Sequence, residues 1–331
     1  MGTPEESERL EVLWRSELGA EEVAGHPAPS GVRIRVETDA ERAVAACEGV
    51  QVLIDGHPSD ALLDAPHLRT VIVPYAGVEA GLRAQMAARP HLRLYNSHFN
   101  APFVAQHAAA LLLACAGRLV RYDRALRQGD WAGHRDGPAS VHLVGAQALL
   151  LGYGAIGSAL APMLRGLGMR LTALRRRPDP EASDPVEVGP AELHRALSEA
   201  DAIVITLPST PDTDGLLDAA AFEAIRPGAL LVNVGRGSLI DEAALWQALE
   251  DGRLGGVGLD VWWQYPPHAA ARRATLPSSR PFHLHEDVVL SPHRANAVHG
   301  WRDASVRDVL RTLAALAAGR ERNRVDLEAG Y

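Results

Sequence analysis

The chain contains no lysine: all 33 of its Lys+Arg residues are arginine. That excludes Schiff-base lysine chemistry, a P-loop lysine and Ser–Lys catalysis. Cysteine is nearly absent too. Cys47 and Cys115 alone make neither a disulfide framework nor a metal-ligand spacing, and they fit a reducing compartment. No apolar run reaches the roughly 18 residues of a membrane span, and the opening MGTPEESERLE is acidic, unlike a signal peptide. Net charge is −8, so nothing electrostatic favours nucleic acid. The expectation is a cytoplasmic protein with neither membrane nor nucleic-acid partners. At 331 residues, 47% hydrophobic and 22% charged, there is room for two ordinary globular domains.

What the chain does have centres on Ala148 to Arg177. Leu149, Leu150 and Leu151 form a short apolar run, as in a strand buried on both faces. Gly152-Tyr153-Gly154-Ala155-Ile156-Gly157 follows, a G-x-G-x-x-G. Its first glycine permits the turn, its second lets backbone approach a pyrophosphate, and its third lets helix and strand pack closely. Ser158 to Leu167 reads as a helix whose N-terminal N–H groups meet the phosphates. Met169 to Leu174 is the next strand. This strand–turn–helix–strand frame makes the motif a dinucleotide site.

The end of that second strand sets the cofactor. An acidic residue about 20 residues on would accept from the ribose 2′-OH of NAD. Arg175, Arg176 and Arg177 stand there instead, and guanidinium forks match a 2′-phosphate. NADP(H) is the preferred cofactor on this reading, with NAD(H) as the other possibility. The competing reading is a solvated basic turn.

Strands and helices alternate before and after this stretch, which predicts parallel sheets with helices on both faces. Strands are expected at Leu10–Trp14, Val32–Val36, Val50–Ile54 and Leu68–Val73, and one ends at Leu94-Tyr95-Asn96. Val104 to Gln128 reads as one long helix linking the halves. Pro178 to Pro190 reads as a surface loop. Further strands are expected at Ala202–Thr206, Ala229–Val234, Gly256–Val261 and Val288–Ser291, with a closing helix from Val306 to Gly319. Gly77, just past a strand, offers a backbone N–H to a carboxylate. Asn100 is either a helix N-cap ahead of Pro102 or a site residue.

Arg236 and His293 both fall just past strand ends in the half that carries the fingerprint, at the edge where a nicotinamide must lie. Hydride transfer to a ketone needs a proton donor, and histidine suits that near neutrality. A 2-oxo acid also needs a cation beside its carboxylate, and arginine binds it bidentately. His283, His285 and Glu286 lack a metal-ligand spacing, so no metal is expected. Trp262, Trp263, Tyr265 and Trp301 read either as core or as a pocket rim.

From about Val52 onward the chain resembles the D-isomer-specific 2-hydroxyacid dehydrogenases, which include phosphoglycerate, glyoxylate/hydroxypyruvate and formate dehydrogenases. The resemblance rests on Asn100…Val104-Ala105-Gln106-His107, the glycine fingerprint, Leu207-Pro208-Ser209-Thr210-Pro211, Val232-Asn233-Val234-Gly235-Arg236-Gly237, Gly258-Leu259-Asp260-Val261 and Ser291-Pro292-His293. It implies two doubly wound, Rossmann-like parallel-sheet domains with a cleft between them. Residues 1–100 plus 299–331 would be the substrate domain and 101–298 the dinucleotide domain. It implies that Arg236 orients the substrate carboxylate, that His293 is the acid/base and that Asp260 contacts the nicotinamide carboxamide. Gly77 and Val78 would give the substrate backbone donors, and Asn100 would line its site. Cofactor contacts would come from Gly152, Gly154, Ala155, Ile156, Gly157, Arg175, Arg176, Leu207, Pro208, Thr213, Val234 and Gly235. A homodimer through the nucleotide domain is implied as well.

The chain departs from that pattern. The glutamate that partners the catalytic histidine falls at Tyr265, or at Gln264 if the loop shifts by one residue. A neutral tyrosine can hold the imidazole ring but cannot raise its pKa. The reaction expected is interconversion of a small 2-oxo acid and its D-2-hydroxy acid. The alternatives are formate-type oxidation and a nucleotide-sensing protein without catalysis.

Overall fold

A computed structural model describes residues 9–327 and divides them into two compact units: the segments up to Asn100 and from Val298, and Ala101–Ala297. The first unit holds strands β1 (Leu10–Trp14), β2 (Val32–Val36), β3 (Val52–Ile54), β4 (Thr70–Ile72) and β5 (Arg93–Tyr95). They pair in parallel in the order β2-β1-β3-β4-β5. Helices α1 (Ala20–Val23), α2 (Ala40–Ala46), α3 (Asp60–Leu63) and α4 (Ala80–Ala87) fill the connections. The Asp39 carboxylate caps α2 by accepting from the Glu41 and Arg42 N–H groups.

The second unit opens with α5 (Ala101–Ala116) and α6 (Leu119–Arg127). The sequence predicts one helix here. The chain instead breaks at Gly117-Arg118, where Arg118 is left-handed at φ 51°, and the two helices bend by 64°. Among the described residues no single helix is long and apolar enough to cross a membrane; this bent pair passes only in combination. Then follow β6 (Gln147–Leu151), α7 (Ala155–Gly166), β7 (Arg170–Leu174), β8 (Val186–Val188), α8 (Leu193–Glu199), β9 (Ala202–Ile205), α9 (Ala219–Ala224), β10 (Ala229–Asn233), α10 (Glu242–Glu250), β11 (Leu254–Leu259) and β12 (Val288–Leu290). β8 lies inside the stretch read as a loop. At three residues, Val-Glu-Val, it is too short to declare itself, and it pairs with β7 at the sheet edge. The closing helix α11 (Trp301–Ala317) starts earlier than its apolar pattern and belongs to the first unit.

The seven strands of the second unit are all parallel, in the order β12-β11-β10-β9-β6-β7-β8. Strand direction of winding reverses between β9 and β6, so the C-terminal ends of those strands form the switch point where such sheets bind ligands. β6 is buried on both faces. Leu149 and Leu151 join the core under α8, α9 and α10, while Ala148 and Leu150 join the core under α5 and α7.

Candidate active site

The turn after β6 shows why glycine stands where it does. Gly152 has φ +101°, a left-handed conformation that costs an L side chain strain. A Cβ on Gly157 would lie 2.4 Å from the Gly152 carbonyl oxygen, so α7 could not pack this close with any other residue. A Cβ on Gly154 would meet nothing within 4 Å. The backbone there faces open space, and α7 begins with Gly154 as an N-cap that has no capping side chain. Its first N–H groups and positive dipole end remain available to an anion. The Thr206 hydroxyl past β9 donates to the Gly152 carbonyl at 2.9 Å, tying the two strand ends together. Leu207 and Pro208 continue from it. Thr213 shapes this loop by donating its hydroxyl to the Pro208 carbonyl at 2.7 Å and accepting from the Thr210 N–H at 2.9 Å.

Arg175, Arg176 and Arg177 are exposed past β7. Arg175 donates through Nη1 to Glu187 on β8 at 2.8 Å, and the other Glu187 oxygen accepts the Asp179 N–H. Sequence reasoning missed Glu187 because it missed β8.

Past β10 the backbone turns sharply at Val234, Gly235 and Arg236. A Cβ on Gly235 would sit 2.6 Å from the Leu207 carbonyl, and one on Gly237 would sit 2.3 Å from the Trp262 carbonyl. The glycines on either side of Arg236 therefore let its loop wedge against two neighbours. Asn233 clamps the turn from within, donating to the Arg236 carbonyl at 2.8 Å and accepting the Gly235 N–H at 2.9 Å.

His293 occupies a loop with unusual constraints. Its φ is +51°, left-handed for a non-glycine residue. Both flanks are held. The Ser291 carbonyl accepts from the Trp262 indole N–H at 2.8 Å and from the His293 N–H at 3.0 Å. The Asp260 carboxylate, buried to 1% exposure, accepts from the Ser291 hydroxyl at 2.5 Å, the Arg294 N–H at 2.9 Å and the Ala295 N–H at 3.1 Å. Asp260 thus spends both oxygens on the loop that carries His293.

Tyr265 packs its ring against the His293 imidazole, with centroids 5.5 Å apart and planes tilted by 57°. Its hydroxyl accepts from the Trp262 N–H at 3.2 Å and is not on the imidazole. Gln264 is exposed and gives its backbone N–H to Pro277. Desolvation, reinforced by the Arg236 guanidinium and opposed by Asp260, lowers the His293 pKa from its usual 6.5. Arg236 reaches Tyr265 electrostatically as well, acting against the burial that raises the phenol. Arg236, Asp260, Tyr265 and His293 are therefore brought together within one unit.

The tryptophans divide by use. Trp262 holds the His293 loop. Trp263 donates to the Ile240 carbonyl at 2.9 Å and stacks on Phe282, as core. Trp301, in the other unit, stacks on Phe99. His285 spends Nδ1 on the Asp287 N–H, and Glu286 pairs with Arg121.

Gly77 and Val78 follow β4 of the first unit, and Asn100 is that unit's last residue before α5. The Asn96 amide donates to the Ala76 carbonyl at 2.7 Å and fixes the start of the Gly77 turn. Asn296 was not anticipated. Its Oδ1, three residues past His293, is buried without a hydrogen-bond partner among the described residues. A buried acceptor without a partner calls for an explanation, and a bound group is one. An asparagine where the chain has just passed a Pro-His pair was the signal available.

A parallel sheet with a glycine turn at its switch point, and a guanidinium and an imidazole past its strand ends, has the features expected of a dinucleotide-dependent oxidoreductase. Residues 109–295 match the family model described as the D-isomer specific 2-hydroxyacid dehydrogenase NAD binding domain. The chain is 30% identical over 300 residues to the glycerate dehydrogenase of Methylorubrum extorquens, covering 86% of this chain and 88% of that protein. It is 32% identical over 278 residues to the glyoxylate reductase of Thermococcus gammatolerans, covering 80% and 77%. The crystal structure of a D-isomer specific 2-hydroxyacid dehydrogenase from Xanthobacter autotrophicus Py2, in complex with NADPH and MES, superposes with a TM-score of 0.76 at 25% identity, covering 98% of this chain and all of that one. The chain belongs to the D-isomer-specific 2-hydroxyacid dehydrogenase family, and is an NAD(P)-dependent oxidoreductase of 2-oxo and 2-hydroxy acids.

Proposed function

We propose that this protein reduces a small 2-oxo acid to the D-2-hydroxy acid with a preference for NADPH. The observation that carries the reading is the clamped, left-handed His293 against the ring of Tyr265 and within electrostatic reach of Arg236. Ala101–Ala297 is read as the cofactor domain and the remainder as the substrate domain.

The residues present fit a nicotinamide dinucleotide. Gly154 leaves open space at the N-terminus of α7 for a pyrophosphate, and the orphan Asn296 Oδ1 can accept from a carboxamide N–H. Ala155, Ile156, Leu207, Pro208, Thr213, Val234 and Gly235 line the turns around these ends. The cofactor, when bound, supplies the hydride. Arg236 holds the substrate carboxylate through its guanidinium fork and polarises the carbonyl. His293, as imidazolium, gives its proton to the carbonyl oxygen as the C=O π bond becomes C–H and O–H. Tyr265 supports the imidazole by ring contact, and Asp260 acts through the loop rather than on the cofactor. Gly77, Val78 and Asn100 are read as substrate contacts from the first domain.

Preference for NADPH rests on Arg175 and Arg176. Glu187 holds Arg175 by one nitrogen and leaves its other donors for a 2′-phosphate. The relative from Xanthobacter, solved with NADPH, is consistent with this. The test is the ratio of kcat/KM for NADPH to that for NADH. Arg175→Asp is expected to lower the ratio at least tenfold; an unchanged ratio contradicts the assignment.

A second copy of this chain is the partner we propose. Leu113, Leu119, Leu126 and Trp131 of α5, α6 and the turn after them are exposed, Trp131 at 70%. Exposed large apolar side chains on neighbouring elements are what an interface would cover.

A further inference from the structure

We propose that His107 is a positioning residue for catalysis: through Ser291 and Asp260 it fixes the loop that presents His293. The proposal rests on the acid role given to His293 above. It goes beyond that role by placing a distant helix residue in control of it.

The geometry begins with packing. On α5, His107, Leu111 and Cys115 recur every four residues and so lie in one row. On β11 and just beyond it, Gly256, Gly258 and Asp260 recur every two, on one face of the sheet. Four helical residues rise about 6 Å, and two strand residues about 6.6 Å. The two rows therefore stay in step. A Cβ on Gly256 would lie 3.2 Å from the Cys115 Cβ, and one on Gly258 would lie 3.0 Å from the Leu111 Cβ. The absent side chains let α5 settle onto the strand. At the third rung the helix meets Asp260, and His107 arrives there: its Nε2 lies 3.4 Å from Asp260 Oδ1 and 2.9 Å from Ser291 Oγ.

The proton inventory then fixes the direction. The single Ser291 hydroxyl proton goes to Asp260 Oδ1 at 2.5 Å. Ser291 Oγ can only accept from His107, so Nε2 carries a proton and donates. The chain of donation runs from His107 to Ser291 to Asp260. Asp260 in turn accepts the Arg294 and Ala295 N–H groups that follow His293. Removing His107 leaves a buried serine oxygen without its donor and loosens the carboxylate that holds the left-handed turn. A proton donor displaced by about 1 Å can lose up to 100-fold in rate. A core histidine with no such role would affect folding but not the placement of the imidazole.

The experiment compares wild type with His107→Leu, His107→Gln and Ser291→Ala. Glutamine can keep a donor near the Nε2 position; leucine cannot. The first readout is NADPH-dependent reduction of glyoxylate. His107→Leu is expected to lose about tenfold in kcat, with glyoxylate KM and NADPH Kd within about twofold of wild type. His107→Gln should recover most of kcat. The second readout is the NMR titration of the His293 ring, assigned by its loss in His293→Asn. It needs no turnover, so it stands even if no 2-oxo acid proves to be a substrate. In His107→Leu and Ser291→Ala a loosened, better hydrated imidazole should titrate closer to the ordinary histidine value, and His107→Gln should restore the wild-type midpoint. Asp260, Arg236 and Tyr265 are the charged and titratable groups that face His293, and all three are retained in every variant compared. The proposal is overturned if His107→Leu leaves kcat and the His293 midpoint unchanged, or if glutamine and leucine are equally damaging.

Discussion

His293 concentrates the residue-scale argument. A reductase needs the imidazolium as proton donor, so kcat/KM for reduction is full below the His293 pKa and falls as pH rises through it. Burial and Arg236 depress that pKa from 6.5, and Asp260 opposes them. Tyr265 adds ring contact without charge. The limb of the pH–rate profile for reduction is therefore expected below 6.5; a limb well above neutrality contradicts this electrostatic account. Arg236 and His293 were legible in the sequence because glycine and proline mark the strand ends that carry them. The uses of Asp260, Tyr265 and Glu187 were not. Each depends on a partner far along the chain, or on a side-chain direction that no local pattern encodes.

Among elements, α7 and its glycine turn allow a separation of fold from ligand. Gly157→Ala puts a methyl 2.4 Å from backbone and should destabilise by about 1–3 kcal/mol, seen as a lower Tm. Gly154→Ala meets no neighbour, so Tm should hold while NADPH Kd rises at least tenfold. Equal effects of the two substitutions on Tm would refute this division of roles. Strand β6 and helix α7 were readable because an all-apolar run and a 3.6-residue period are strong local signals. The break between α5 and α6 was not. Arg118 takes a left-handed conformation that its residue type does not announce. The short edge strand β8, with Glu187 at its middle, likewise exists through pairing with β7 rather than through its own pattern.

For the whole molecule, alternation of strand and helix implied two parallel sheets, and both are present with their crossover helices. The first unit is discontinuous and regains α11 after the second unit closes; periodicity alone does not say which unit a terminal helix joins. The exposed apolar surface of α5, α6 and the Trp131 turn leads to an expectation in solution. Sedimentation should give twice the 35.4 kDa chain mass, and Leu119→Asp combined with Trp131→Asp should give the single chain. A wild-type monomer would remove the proposed partner. The most direct test of the central claim measures NADPH and NADH oxidation with glyoxylate, hydroxypyruvate and a branched 2-oxo acid, in wild type and His293→Ala. The account predicts turnover of at least one 2-oxo acid, faster with NADPH, and a loss of about 100- to 10,000-fold in the variant. Tight NADPH binding by the wild type without turnover of any 2-oxo acid, or full activity in His293→Ala, would contradict it.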